Sequence, residues 1–154
     1  VVIKNILFKM PSKIERHAIP HTLYTDPELS QTGYTKKQAE ERFGTNQITC
    51  LSWPLSKNDR AQTEDKTQGV INLIARRNGV IIGASILAPC AGEIIQTCTL
   101  AIKKQLKISD LASLIFPYPS YSEAIRHAAG TAYTDSLFSP KMQKFIKWRF
   151  KLLP

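Results

Sequence analysis

Two β-branched runs, Val70 to Arg76 and Val80 to Ala88, flank an Asn78-Gly79 pair. Asn-Gly tolerates the positive φ angles that a two-residue type I′ turn demands, so the segment predicts an antiparallel hairpin. Apolar residues stand on both parities of the second run, Val80, Ile82 and Ile86 against Ile81 and Leu87. A strand patterned this way is covered on both faces and does not lie at a sheet edge. Gly83 within it permits another stretch of chain to approach closely, which reads as a packing accommodation and not as a ligand contact.

The neighbouring segments supply the rest of an α+β fold, an antiparallel sheet with helices packed on it. Ile19 to Thr25 is extended in character and Asp26-Pro27-Glu28 ends it with a turn; Ile48 to Trp53 is a further strand closed by Pro54. Thr35-x-x-Gln38 predicts a capping box, Lys36 to Phe43 the helix behind it, and Gly44 its end. Ala91-Gly92-Glu93 opens the longest helix, whose stripe of Ile94, Ile95, Cys98, Ala101, Ile102 and Leu106 is the face laid on the sheet. Lys103, Lys104 and Lys107 complement its C-terminal dipole, and Ser109 caps a short helix reaching Ile115. Residues 55 to 68, the most polar stretch, read as a surface loop.

With 154 residues, 43% hydrophobic and 21% charged, the chain has room for one core and tails. It opens in apolar sequence without Met, Val1 to Phe8, as though cut from something larger, and Lys9 to Ala18 reads as linker. No run reaches the length of a membrane span, and no basic segment, apolar core and cleavage site open the chain. Cys50, Cys90 and Cys98 are odd in number and lack zinc-like spacing, so reduced thiols, no metal and a cytoplasmic protein are expected. His17 and His21 are separated by Pro20, which spoils a shared helical face for a metal pair.

The net charge of +9 is uneven, since Lys141, Lys144, Lys147, Arg149 and Lys151 include no acid among them. That stretch follows Ser139-Pro140, a good N-cap and N1 pair, and places Met142, Phe145, Ile146 and Leu153 opposite Lys144, Lys147 and Lys151. A basic amphipathic helix of this kind packs on a neighbouring domain or subunit, lies on an anionic membrane surface, or binds nucleic acid. Packing ranks first and specific nucleic-acid binding last, because phosphate alone does not cover an apolar face.

The stretch Phe116-Pro117-Tyr118-Pro119-Ser120-Tyr121-Ser122-Glu123 holds the candidate site residues. Its two prolines fix an extended, bent segment, after which a helix begins with Ala124, Ile125, Ala128, Ala129 and Ala132 on one face. Ser120 and Glu123 have capping-box spacing, and Glu123 in the first turn can reach back toward Tyr118. On the residues alone, Glu123 is a cap and Tyr118 a half-buried turn aromatic, and this reading stands beside any chemical one.

The run resembles the His-Pro-Thr…Ser-Glu signature of the pyridine nucleotide-disulfide oxidoreductases, with Tyr118 in the histidine's place. The likeness covers residues 19 to 130 through ordered motifs: Thr25-Asp26-Pro27-Glu28 with Gly33, Asp59-Arg60-Ala61, Ala91-Gly92-Glu93, and the Pro-x-Pro-Ser-x-Ser-Glu turn. It implies residues 1–18 as an apolar segment and linker from an upstream flavin domain, 19–132 as a dimerisation domain, and 133–154 as a basic tail. It implies two-fold pairing with an identical chain and upstream FAD and NAD domains, with FAD and NAD(P)H as cofactors of the full-length enzyme. It also implies that the helix opened by Ala91-Gly92-Glu93 approaches the two-fold axis.

In that family the histidine relays protons and the glutamate orients it, within the partner's active site. Tyr118 and Glu123 are thus implied as catalytic residues acting in trans, with Pro119 near the flavin and the Tyr118-Pro119 bond cis. A tyrosine, with a reference pKa of ~10 against ~6.5 for histidine, donates hydrogen bonds where histidine would act as a base. Mercuric reductase shares the tyrosine, but its C-terminal Cys-Cys pair does not occur in Trp148 to Pro154. The likeness is mercuric reductase-like with the substrate open. Neither G-x-G-x-x-G nor Cys-x-x-x-x-Cys occurs in the 154 residues, so this piece alone is expected to be inactive. The alternative is a non-catalytic dimeric module whose basic tail, residues 140–154, makes it membrane-peripheral.

Overall fold

The computed structural model of the chain describes residues 1–11 and 16–150, with helices α1 (Val2–Ile6), α2 (Lys36–Phe43), α3 (Asp59–Thr63), α4 (Ala91–Lys103), α5 (Ile108–Ala112), α6 (Glu123–Leu137) and α7 (Pro140–Phe150). Its strands β1 (His21–Leu23), β2 (Glu28–Gly33), β3 (Ile48–Pro54), β4 (Val70–Arg76) and β5 (Ile81–Ala88) form one antiparallel sheet in the order β1-β2-β5-β4-β3. The α+β expectation holds, and β5 lies in the middle of the sheet. Part of the linker and the last four residues fall outside the described residues, so the expectations for Lys151 and Leu153 do too.

The hairpin forms with a different turn. Only Gly79 of the Asn-Gly pair takes a positive φ, +86°. Arg76 N–H donates to Val80 C=O at 2.9 Å and Gly79 N–H to Arg76 C=O at 2.7 Å, so three residues turn the chain where type I′ would use two. Two contacts favour the extra residue. Val80 N–H donates to the Asn78 side-chain oxygen at 3.2 Å, and Ile108 N–H donates to Gly79 C=O at 2.9 Å, drawing the turn toward the link between α4 and α5.

One sheet face carries the core. Ile71, Leu73 and Ala75 of β4 and Ala84, Ile86 and Ala88 of β5 are buried in one cluster with Ile94, Ile95, Cys98, Ala101 and Ile102 of α4 and Ala124, Ile125, Ala128 and Ala129 of α6. Helix α4 packs on β2 and β5, and α6 on β3 and β4. Along β5 Ile82, Ser85 and Leu87 are only half-buried, so the second face is partly covered and not closed as its pattern predicted. The α4 stripe is buried as expected except for half-buried Leu106. On α6 the buried stripe stops at Ala129, leaving Ala132 exposed.

Helix ends follow side-chain hydrogen bonds. The Thr35/Gln38 capping box forms with both bonds, 3.0 and 3.2 Å, and Gly44 follows α2 at φ +87°. For α5 the N-cap is Lys107 and not Ser109, because the Asp110 carboxylate accepts Lys107 N–H at 2.7 Å. Helix α6, at 15 residues, is longer than α4 at 13 and runs unbroken past residue 132, where body and tail were divided. Helix α7 begins as expected, with Met142 N–H donating to the Ser139 hydroxyl at 3.3 Å.

The polar stretch 55 to 68 is not a plain surface loop. Its Leu55, Asn58 and Ala61 are buried, a 3-10 turn spans Leu55–Lys57, and α3 follows. Asn58 is the reason, since its oxygen accepts Ala61 N–H at 3.0 Å to cap α3 while its amide reaches Ser120 C=O at 2.9 Å.

Candidate functional site

Helix α3 and the proline turn are 57 to 62 residues apart in sequence and are tied by three side-chain hydrogen bonds. Besides Asn58 to Ser120, Tyr118 Oη donates to Asp59 Oδ2 at 2.8 Å and Tyr121 Oη to Glu64 Oε2 at 2.8 Å. The bent backbone is therefore held at three of four consecutive residues. Both Tyr118-Pro119 and Asp26-Pro27 peptide bonds are cis; the likeness implied the first, and no sequence signal pointed to the second.

Tyr118 stands out from its own subunit, with 70% of its surface exposed. Beside it Ile115 is 92% exposed, and Leu114, Pro117 and Pro119 are exposed as well. The turn is convex. The open groove lined by His17, His21, Gln31, Tyr34, Gln38 and Arg42 includes neither Tyr118 nor Glu123.

Glu123 does not reach Tyr118 within the chain. Its carboxylate is held at 2.5 Å by Arg126 Nη2, with His127 Nε2 at 3.7 Å, and it neither caps α6 nor bonds the tyrosine. The expected capping box is absent because α6 starts at Glu123 behind Ser122, while the Ser120 hydroxyl is buried without a hydrogen-bond partner among the described residues. His127 stacks on Trp53 at 5.0 Å between ring centroids, which fixes the imidazole beside Glu123. An ion pair and a stacked ring thus hold the carboxylate that sequence reasoning had aimed at the phenol.

The phenol's environment keeps it protonated. The hydrogen bond to Asp59 raises the Tyr118 pKa above the ordinary tyrosine value, and the charges of Asp59 and Glu123 act the same way. Burial, followed by the bond to Glu64, pushes Tyr121 up to about 12. That same bond, seconded by Arg60, holds Glu64 below the usual carboxylate range, and Arg60 pairs with Glu64 directly. Tyr118 is therefore a hydrogen-bond donor through neutral pH and a poor base.

Asp59→Asn is expected to lower the Tyr118 pKa toward the ordinary value, read as an earlier rise of tyrosinate absorbance than in wild type. A raised folded pKa stabilises below the unfolded value and loses that contribution as pH rises through the folded one, so the variant's stability should depend less on pH in the alkaline range. Unchanged tyrosinate titration would show that Asp59 does not hold the phenol.

Asp59 is the residue that sequence reasoning missed. Asp59-Arg60-Ala61 carries no chemical signal of its own, although Asn58 ahead of Ala61 has N-cap spacing and marks a helix in the polar stretch. The Thr-Asp-Pro-Glu and Ala-Gly-Glu motifs join similarly, as Glu28 Oε2 accepts Gly92 N–H at 2.9 Å in the first turn of α4. A carboxylate at that end complements the helix dipole. Among the described residues no three His, Cys, Asp or Glu side chains cluster to hold a metal ion, and no helix is long and apolar enough to cross a membrane.

Residues 19–129 match the family model of the pyridine nucleotide-disulphide oxidoreductase dimerisation domain. The chain belongs to this family. Among curated relatives of this dimerisation domain, dihydrolipoyl dehydrogenase of Bacillus subtilis (strain 168) is 34% identical over 123 residues, 79% of this chain and 26% of that protein. Mercuric reductase of Acidithiobacillus ferrooxidans is 34% identical over 119 residues, covering 77% of this chain and 21% of the relative. The domain's fold matches the HOCl-induced flavoprotein disulfide reductase RclA of Escherichia coli with a TM-score of 0.77 at 27% identity, over 84% of this chain and 30% of that one. LpdA of Mycobacterium tuberculosis gives a TM-score of 0.78 at 27% identity, over 85% of this chain and 28% of that one. The chain thus spans about a quarter of the length of the curated relatives it matches.

Proposed function

We propose that this dimerisation domain, taken as residues 19–132, pairs two subunits of a FAD-dependent NAD(P)H:disulfide-type oxidoreductase and lends each partner's redox site a Tyr118 phenol. A two-fold interface is isologous, so each of two identical sites is completed by the other chain. The observation that carries this reading is the 70% exposure of Tyr118 on a turn braced from behind by Asn58, Asp59 and Glu64. A side chain held rigidly outward, beside open Ile115, is placed for a neighbour.

The residues present fit one wall of a flavin site and not the whole of it. Tyr118 and Pro119 form an exposed edge, while the 154 residues contain no glycine-rich phosphate fingerprint, so FAD would be held by residues outside this piece. The flavin, when bound, supplies hydride acceptance from NAD(P)H and electron delivery to a disulfide-type acceptor. Tyr118 contributes its one O–H, donated to Asp59 in the single chain, which would turn to negative charge appearing on the acceptor. Asp59 accepts that hydrogen bond until the acceptor competes for it, and so keeps the phenol protonated. Glu123, fixed by Arg126 and His127, adds negative charge behind the phenol and discourages its ionisation. Pro119 would border the flavin, when bound, and help to exclude water there, and the piece alone, holding only this wall, is expected to be inactive.

Tyr118→Phe in the full-length enzyme should lower kcat by about 100-fold with the flavin spectrum unchanged, the scale for losing one preorganised donor. Glu123→Gln should lower it less. Wild-type kcat in Tyr118→Phe would remove the phenol from the chemistry.

A further inference from the structure

Helix α7 has no buried residue. Phe145, Ile146, Trp148 and Phe150 are 50%, 43%, 58% and 72% exposed, and the Phe145 and Trp148 rings stand 6.0 Å apart between centroids. Around them lie Lys141, Lys144, Lys147 and Arg149, and none of the four pairs with a carboxylate among the described residues. No Asp or Glu follows Asp135 in the sequence. At 100° per residue Met142, Phe145 and Ile146 share one face with Arg149 among them, Lys144 and Lys147 lie opposite, and Trp148 sits at the boundary. The family match ends at residue 129, before this helix.

We infer that α7 is a membrane-surface helix that seats the protein on an anionic bilayer, with Phe145 and Ile146 in the acyl boundary, Lys144 and Lys147 at the headgroups, and Arg149 reaching up to them from the apolar face. The inference is independent of the role of Tyr118. Charge complementarity selects the occupant. A second copy of α7 brings the same four cations and repels. Nucleic acid neutralises the cations yet leaves Phe145, Ile146, Trp148 and Phe150 in water. An anionic lipid surface takes both faces at once, with the tryptophan at the interface where its amphipathic ring is favoured.

The test is co-sedimentation of the full-length protein with phosphatidylcholine vesicles and with vesicles containing phosphatidylglycerol. Binding is expected only with phosphatidylglycerol, and deletion of residues 139–154 should abolish it. Lys144→Gln with Lys147→Gln should weaken partitioning by roughly 30-fold, at the usual attraction per cation near an anionic surface. Wild type should show a blue shift of tryptophan emission on the anionic vesicles, and Trp148→Phe should bind without that shift. Equal binding to neutral vesicles, binding that survives the deletion, or no binding to either vesicle overturns the inference. So does a tail-dependent change of oligomeric state without lipid, or tail-dependent retention on duplex DNA under conditions where vesicles are not bound.

Discussion

Ile115→Asp in the full-length protein is expected to separate dimers into monomers, seen in sedimentation equilibrium as a halved mass. Ile115 is 92% exposed and Leu114 41% exposed in the single chain, so neither contributes much to the subunit's own core. Large apolar side chains gathered beside an outward-braced turn mark a surface that another molecule covers. Truncating an anchor at such a centre costs about 2–4 kcal/mol. A buried carboxylate in its place adds desolvation, and a loss of that size weakens pairing by roughly 30- to 1000-fold. Because the side chain touches little of its own subunit, the variant's circular dichroism and its denaturation of the isolated subunit should match wild type. A stable dimer with wild-type mass would place the interface elsewhere on the domain.

Gly83→Val should damage the fold itself. Gly83 pairs with Gly33 across β2 and β5, and a Cβ at Gly83 would lie 2.0 Å from Tyr34 O and 3.0 Å from its carbonyl carbon. The obstacle is backbone, and it cannot swing aside, because Tyr34 N–H is bound to Ile82 C=O at 2.9 Å. Opening the central strand pair to admit the side chain would also disturb Ala84 and Ile86 in the core. The expected loss is roughly 3 kcal/mol, toward the upper end for overpacked sites, measured by denaturant titration at constant m-value. A loss below about 1 kcal/mol would mean that β2 and β5 are less closely apposed than a Cβ approach of 2.0 Å requires.

These two sites show what the amino-acid order could reveal. The close approach at Gly83 was legible because a glycine inside a β-branched run has few other uses, and the α4 stripe was legible because helical periodicity is local. The turn chosen at Asn78-Gly79 was not. It depends on Ile108 reaching back to Gly79, a contact that no local pattern contains. The same limit hid Asp59. Polar residues 55 to 68 look like solvent-facing loop until the tyrosines 118 and 121, some sixty residues on, arrive to use their carboxylates.

The motifs gave their positions without their partners. Glu28 meets Gly92 and Asp59 meets Tyr118, two long-range joins that turn four separate sequence signatures into two contacts. Glu123 illustrates the opposite error, where proximity in sequence suggested a bond to Tyr118. The helical spacing of Arg126 and His127, three and four residues on, offered the carboxylate nearer partners.

That Tyr118 serves the other subunit can be tested by subunit mixing in the full-length enzyme. One chain carries Tyr118→Phe with an intact flavin domain, and the other keeps Tyr118 but has an inactivated flavin domain. Each variant alone should be nearly silent. After exchange of equal amounts, with mixed dimers confirmed by differently tagged subunits, activity should rise to about a quarter of wild type, since half the dimers then hold one complete site. Mixed dimers that regain no activity would contradict a phenol supplied in trans.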